Sequence, residues 1–165
     1  MMNLFWIVLG LILGSFAGVV SGRFATGGLR AGLNGRSRCD RCKHILSPVD
    51  LIPIISFVVL RGKCRYCTQK IGVSPIIFEG IGALAVVGIG THFGFHIITV
   101  LHIIIITGLL IVAGIDWQTQ EISELLIIII GIFAVASAIV TNNIGAHLIG
   151  LLIGGGIPAF LVIIS

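Results

Sequence analysis

Cys39-Asp40-Arg41-Cys42, then twenty-one residues, then Cys64-Arg65-Tyr66-Cys67: this stretch uses all four cysteines of the chain in two CxxC pairs. Each CxxC turn brings two thiolates to one ion. Two such turns complete a tetrahedral shell, the pattern of a Zn²⁺ site. Four thiolates leave no open coordination position, so the ion would be structural and not catalytic. The stretch is polar and basic, whereas the sequence on both sides of it is apolar. That contrast decides the fold class.

The chain has 165 residues, 57% hydrophobic and 10% charged, with a mean hydropathy of +1.20. Soluble domains carry roughly 25% charged residues. The composition therefore predicts an all-α polytopic integral membrane protein with one small polar insert. Met1-Met2-Asn3-Leu4 has no basic leader and no evident cleavage site, so the first apolar run reads as a retained span. Runs of helical length cover about Leu4–Val20, Pro75–Gly90, Phe95–Gly114, Leu125–Val140 and Ala146–Ile164, which gives about five transmembrane helices. The division is residues 1–20 as first span, 21–74 as a basic four-cysteine module, and 75–165 as a transmembrane helical domain. Gly10, Gly14, Gly18 and Gly22 recur every fourth residue in the first span, a spacing that forms a close-packing seam. Leu51–Leu60 is too short to cross a bilayer, and is expected to pack on the cysteine turns or lie at the membrane interface.

All ten Lys and Arg lie between Arg23 and Lys70. Basic loops stay in the cytoplasm, so the cysteine module is placed there and the N-terminus outside. A reducing compartment favours metal over disulfides. Nucleic-acid binding is the competing reading of a basic metal module. The membrane flanks account for the charge without it, and no nucleic acid is expected as a partner.

Six carboxylates are present: Asp40, Asp50, Glu79, Asp116, Glu121 and Glu124. Glu79 falls in the first turns of the second span. Either the helix N-terminus favours it there, or it is a functional charge. Asp116 ends the third span at its cytoplasmic mouth. It is either an interfacial residue beside Trp117 or a carboxylate held at the membrane surface for chemistry. Glu121 and Glu124 read as solvated loop. His92 and His96 have i, i+4 spacing but no third ligand. His102 reads as a polar contact between helices.

These residues together resemble the type IV prepilin peptidases, membrane aspartyl proteases of pilus and type II secretion systems. Gly14-Ser15-Phe16 with Arg23 resembles the family's opening motif, and Ser37–Cys42, Asp50–Ser56 and Leu60–Cys67 resemble its cysteine module. Ser74-Pro75-Ile76-Ile77-Phe78-Glu79 resembles the entry to its next helix, and Gly114-Ile115-Asp116 its first catalytic aspartate. The resemblance implies cleavage of prepilin or pseudopilin leader peptides at the cytoplasmic face of the bacterial inner membrane. It also implies N-methylation of the new N-terminus from S-adenosylmethionine in members with both activities. Asp116 would be catalytic, Glu79 and Arg23 methylation- or substrate-related, and Cys39, Cys42, Cys64 and Cys67 metal ligands. Departures exist: Gly18 stands where the family usually has Asn, Ala25 where it has Pro, and Ile122-Ser123-Glu124 where Pro-Asp or a similar ending is usual. The family's second aspartate follows a Gly-x-Gly motif, and no aspartate follows Asp116 in these 165 residues. The chain is accordingly expected to be truncated before its second aspartate and not to cut prepilins by itself. The other reading is a non-enzymatic membrane zinc protein that binds prepilins or a secretion partner.

Overall fold

Four of the five apolar runs are helices long and apolar enough to cross a bilayer, in a computed structural model that describes residues 2–33, 36–39, 41–120, 124–142, 145 and 149–150. The first helix, α1, is Met2–Leu33. A 3-10 turn, Pro48–Leu51, and a short helix α2, Ile55–Val59, lie within the cysteine module. Then follow α3 (Ser74–Phe93), α4 (Ile97–Thr119) and α5 (Glu124–Thr141). The fifth expected span, Ala146–Ile164, falls outside the described residues except at Ile149 and Gly150, as do Asp40 and Glu121.

The first helix does not stop where its apolar run stops. It continues from Val20 through the glycine-rich, basic start of the expected loop. Hydropathy marks where a helix leaves lipid, not where its backbone hydrogen bonding ends. Between Val20 and Leu33 there is no proline to break it. By contrast α3 opens on Pro75 in its first turn, where the missing N–H costs nothing, and closes at Gly94 (φ 65°). The α3–α4 connection is a tight reversal in which the Thr99 hydroxyl donates to the Gly94 carbonyl at 2.7 Å.

Helices α1, α3 and α4 pack on one another, and α5 packs on α4. The α1–α3 seam is made by absent side chains. A Cβ at Gly82 would sit 2.6 Å from the Gly10 carbonyl oxygen and 2.8 Å from the Gly14 Cα. A Cβ at Gly10 would likewise meet the Ala83 Cα at 2.6 Å. In lipid there is little hydrophobic drive between helices, so such close backbone approach supplies the association through dispersion contacts. Gly18 instead faces the Phe78 ring, and Gly22 faces Gln118 of α4. The period-four stripe thus begins against α3 and ends against α4.

The contacts fix the relative directions of α1, α3 and α4. Near the start of α1, Trp6 fills the space over Gly90 and lies tilted against the Phe95 ring, centroids 4.7 Å apart. Further along α1, Ser21 meets Gly114 of α4, together with Phe78 of α3. So α1 and α4 run parallel, α3 runs against them, and the end of α4 bearing Asp116 lies on the same side as the cysteine module.

Candidate metal centre and membrane-face carboxylates

The two CxxC turns have the same backbone construction. In the first, Cys39 N–H donates to the His44 carbonyl (2.9 Å) and Lys43 N–H to the Cys39 carbonyl (2.8 Å). In the second, Cys64 N–H donates to the Gln69 carbonyl (2.8 Å) and Thr68 N–H to the Cys64 carbonyl (2.9 Å). Lys43 (φ 59°) and Thr68 (φ 56°) take the left-handed conformation at equivalent places. Each turn is flanked by one antiparallel bridge, Arg38 with Ile45 and Lys63 with Lys70.

Folded together, the turns bring the sulfurs of Cys39, Cys42, Cys64 and Cys67 within 4.8 Å of one another. Cys39 Sγ and Cys67 Sγ are 3.8 Å apart. Zinc–sulfur bonds of about 2.3 Å in a tetrahedron place sulfurs about 3.8 Å apart. The donor set and its spacing therefore fit Zn²⁺. The sulfurs are unequal. The N–H groups of Cys42 and Arg41 hold the Cys39 thiol down to about 7. For Cys67 the Gln69 N–H pulls the same way, but burial and the neighbouring sulfurs of Cys42, Cys64 and Cys39 outweigh it and push the thiol up to about 11. Thiols bind a metal as thiolates, so a bound cation would displace whatever protons the four sulfurs carry.

Asp50 joins the two halves of the module, a role its position in the sequence did not disclose. One oxygen accepts from Arg65 Nε at 2.7 Å, and the other from the Ser47 hydroxyl at 2.8 Å, the Ser47 N–H at 3.2 Å and the Tyr66 hydroxyl at 3.3 Å. Its side chain retains 3% of its accessible surface. Burial opposes its ionisation, yet the Ser47 and Arg65 bonds prevail and hold its carboxyl below the usual range. The Tyr66 ring also lies tilted against the His44 ring with centroids 3.7 Å apart, a contact between the second turn and the first.

Glu79 is buried in α3, its Cα against Gly14 of α1. Its carboxylate does not serve the N-terminus of its own helix. Glu79 Oε2 accepts the Ile54 N–H at 2.7 Å. Ile54 has φ 58° and ψ −47°, a strained conformation for a β-branched residue. Glu79 thus ties the loop between the cysteine pairs to the membrane bundle. Arg23 makes a second tie: its Nη2 donates to Ser37 Oγ at 3.3 Å, at the entry to the first cysteine turn.

Asp116 is exposed, and lines an open concavity with Trp117 and Gln120. Its carboxylate makes no hydrogen bond or ion pair among the described residues, while its backbone carbonyl accepts the Gln120 N–H that caps α4. Trp117, 89% exposed, fits an interfacial aromatic. Among the histidines, His102 bonds the Ile98 carbonyl of its own helix through Nδ1 at 2.8 Å, and its ring reaches across to stack on Phe93 at the end of α3.

Comparison with known proteins adds to this geometry. The sequence model described as the bacterial peptidase A24 N-terminal domain matches residues 8–93. The chain is 31% identical over 139 residues to the prepilin leader peptidase/N-methyltransferase of Bacillus subtilis (strain 168), which covers 81% of this chain and 53% of that protein. It is 39% identical over 105 residues to the protein of that name from Burkholderia pseudomallei (strain K96243), covering 49% of this chain and 34% of that protein. For the Myxococcus xanthus (strain DK1622) protein of that name the figures are 34% over 112 residues, 68% and 33%. The chain thus spans about half the length of the first of these relatives and about a third of the others. No solved structure matches it.

Proposed function

On the premise that the chain belongs to the bacterial A24 peptidase, or type IV prepilin peptidase, family, we propose that it forms the metal-module and first-aspartate portion of an aspartic prepilin peptidase. The reading places the cysteine module and Asp116 on the cytoplasmic side of the bacterial inner membrane, with the N-terminus outside. Its substrates are the leader peptides of prepilins or pseudopilins.

The observation that carries the reading is the state of Asp116. An acid in the last turn of a helix faces the negative end of the macrodipole, an arrangement that costs about 0.3–1 kcal/mol. Stability of α4 does not explain it, and no described partner consumes it. An aspartic protease needs a free carboxylate on the water-facing side, beside a second one with which it shares a proton. One carboxylate then takes a proton from water while the other donates to the scissile carbonyl. Asp116 supplies one member of that pair, and cleavage is assigned to a protein that supplies both. The cysteine module, with Zn²⁺ held by Cys39, Cys42, Cys64 and Cys67, supplies folding energy and no catalytic step. Glu79 and Arg23 hold it to the bundle, and any contact with substrate or with S-adenosylmethionine in methyl transfer would be additional to that. Zn²⁺ would keep the two turns closed.

The test is cleavage of a prepilin in membranes by the full-length protein. Asp116→Asn should lower the rate by about 10²-fold or more, the range of one acid–base role, with zinc content unchanged. Cleavage at the unmodified rate would overturn the assignment of Asp116.

A further inference from the structure

The short helix α2 shows solvent an apolar side that the function above does not use. Ile55, Val58 and Val59 are 60%, 65% and 69% exposed. Phe57 is turned the other way: a Cβ at Gly62 would lie 2.9 Å from its ring, and its carbonyl accepts the Gly62 N–H. So α2 has a packed side and an uncovered aliphatic side.

The height of α2 relative to the membrane is set by Glu79. Its Cα packs against Gly14, which is in the middle of the first apolar run, well short of Val20. Glu79 is five residues into α3, about 7 Å along its axis at ~1.5 Å per residue. Its carboxylate holds the backbone of Ile54, the residue immediately before α2. A glutamate side chain is too short to place that backbone in bulk water while its own Cα sits among lipid-spanning helices. The helix is therefore held at the level where hydrocarbon gives way to headgroups. Exposed Arg61 and Lys63 follow α2 directly and complement an anionic headgroup layer.

We infer that α2 lies in the bilayer interface on the side of the cysteine module, with Ile55, Val58 and Val59 buried in lipid and Arg61 and Lys63 at the headgroups. The occupant of this face is the lipid itself. Short apolar segments flanked by cations bind in this way through buried apolar area and headgroup attraction. The module is thereby seated on the membrane surface at three points, Arg23, Glu79 and α2. The inference does not depend on which substrate the protein cuts.

The test uses the full chain in vesicles of phosphatidylcholine and phosphatidylglycerol, with Val58→Trp as the probe and the parent chain as baseline for Trp6 and Trp117. Val59→Trp is the second probe; both sites are open enough to take an indole without repacking. The added emission should be blue-shifted and inaccessible to aqueous acrylamide, and most of it should be lost when the acyl chains carry bromine. Added emission that acrylamide quenches and bromolipid does not would overturn the inference. So would blue-shifted emission insensitive to bromolipid, because that face would then be covered by protein, whether another copy or a partner.

Discussion

Gly80 and Gly82 lie two residues apart on α3, in the same helix and at nearly the same depth, and an added methyl group should affect them in opposite directions. At Gly80 a Cβ meets nothing within 4 Å. At Gly82 it meets the Gly10 carbonyl oxygen at 2.6 Å, the Gly14 Cα at 2.8 Å and the Gly14 nitrogen at 3.0 Å, all of them backbone. Ordinary contact begins near 3.4 Å, so α1 must withdraw by about 1 Å. Alanine gains about 1 kcal/mol over glycine in a helix interior, and overpacking costs typically 1–3 kcal/mol. Gly80→Ala should therefore be neutral or stabilising by up to about 1 kcal/mol, and Gly82→Ala net destabilising by up to about 2 kcal/mol. Unfolding of the two variants in mixed detergent micelles, followed by helical circular dichroism, reads the difference directly. Equal midpoints, or a Gly82→Ala variant more stable than Gly80→Ala, would refute the claim that backbone approach holds α1 to α3.

Cys64 is the most buried of the four cysteines. Cys64→Ser should weaken zinc by about 10²-fold or more, since a structural site owes about 10–16 kcal/mol to its complete ligand set; competition with a chromophoric chelator measures it. Removing the ion from the unmodified protein should loosen residues 39–67 and leave α3 and α4 protected, as hydrogen exchange would show. Asp50→Asn should cost the module about 2 kcal/mol at neutral pH, the scale of hydrogen bonds to a charged group. Because the Asp50 carboxyl is held below its ordinary 3.8, that stabilisation is complete above this value and fades as pH falls through the folded one. A gap between parent and variant that persisted undiminished in strong acid would contradict this. Glu79→Ala removes the acceptor for the Ile54 N–H, and amide exchange at Ile54 should accelerate while zinc remains bound.

The parts of the fold set by short-range rules were legible in the sequence. Two CxxC turns at the right separation, a glycine every fourth residue and apolar runs of bilayer length each identify an element without knowledge of its neighbours. What remained hidden depended on partners distant in the chain. Asp50 gave no local sign that Arg65 and Tyr66 would converge on it. Glu79 was left open between a helix-start acid and a functional charge, because its partner, Ile54, lies twenty-five residues earlier and offers only a backbone N–H. The continuation of α1 to Leu33 was missed for a different reason: hydropathy reports which medium surrounds a helix, and that helix passes from one medium to another without a break in its hydrogen bonding. Asp116 was found by its place at the end of a span, on the side that alternation of the spans shares with the cysteine module, and the parallel packing of α1 and α4 agrees.

With 32 residues at ~1.5 Å each, α1 is about 48 Å long, against a hydrocarbon layer of about 30 Å. It acts as a mast stepped in the membrane, with the cysteine module rigged to it by Arg23 and stayed to α3 by Glu79. Because α1 and α3 are locked by backbone contact at Gly10, Gly14 and Gly82, the two stays tie the module to a single spar and not to two that could shift apart. The module is rigged to the bundle as one piece.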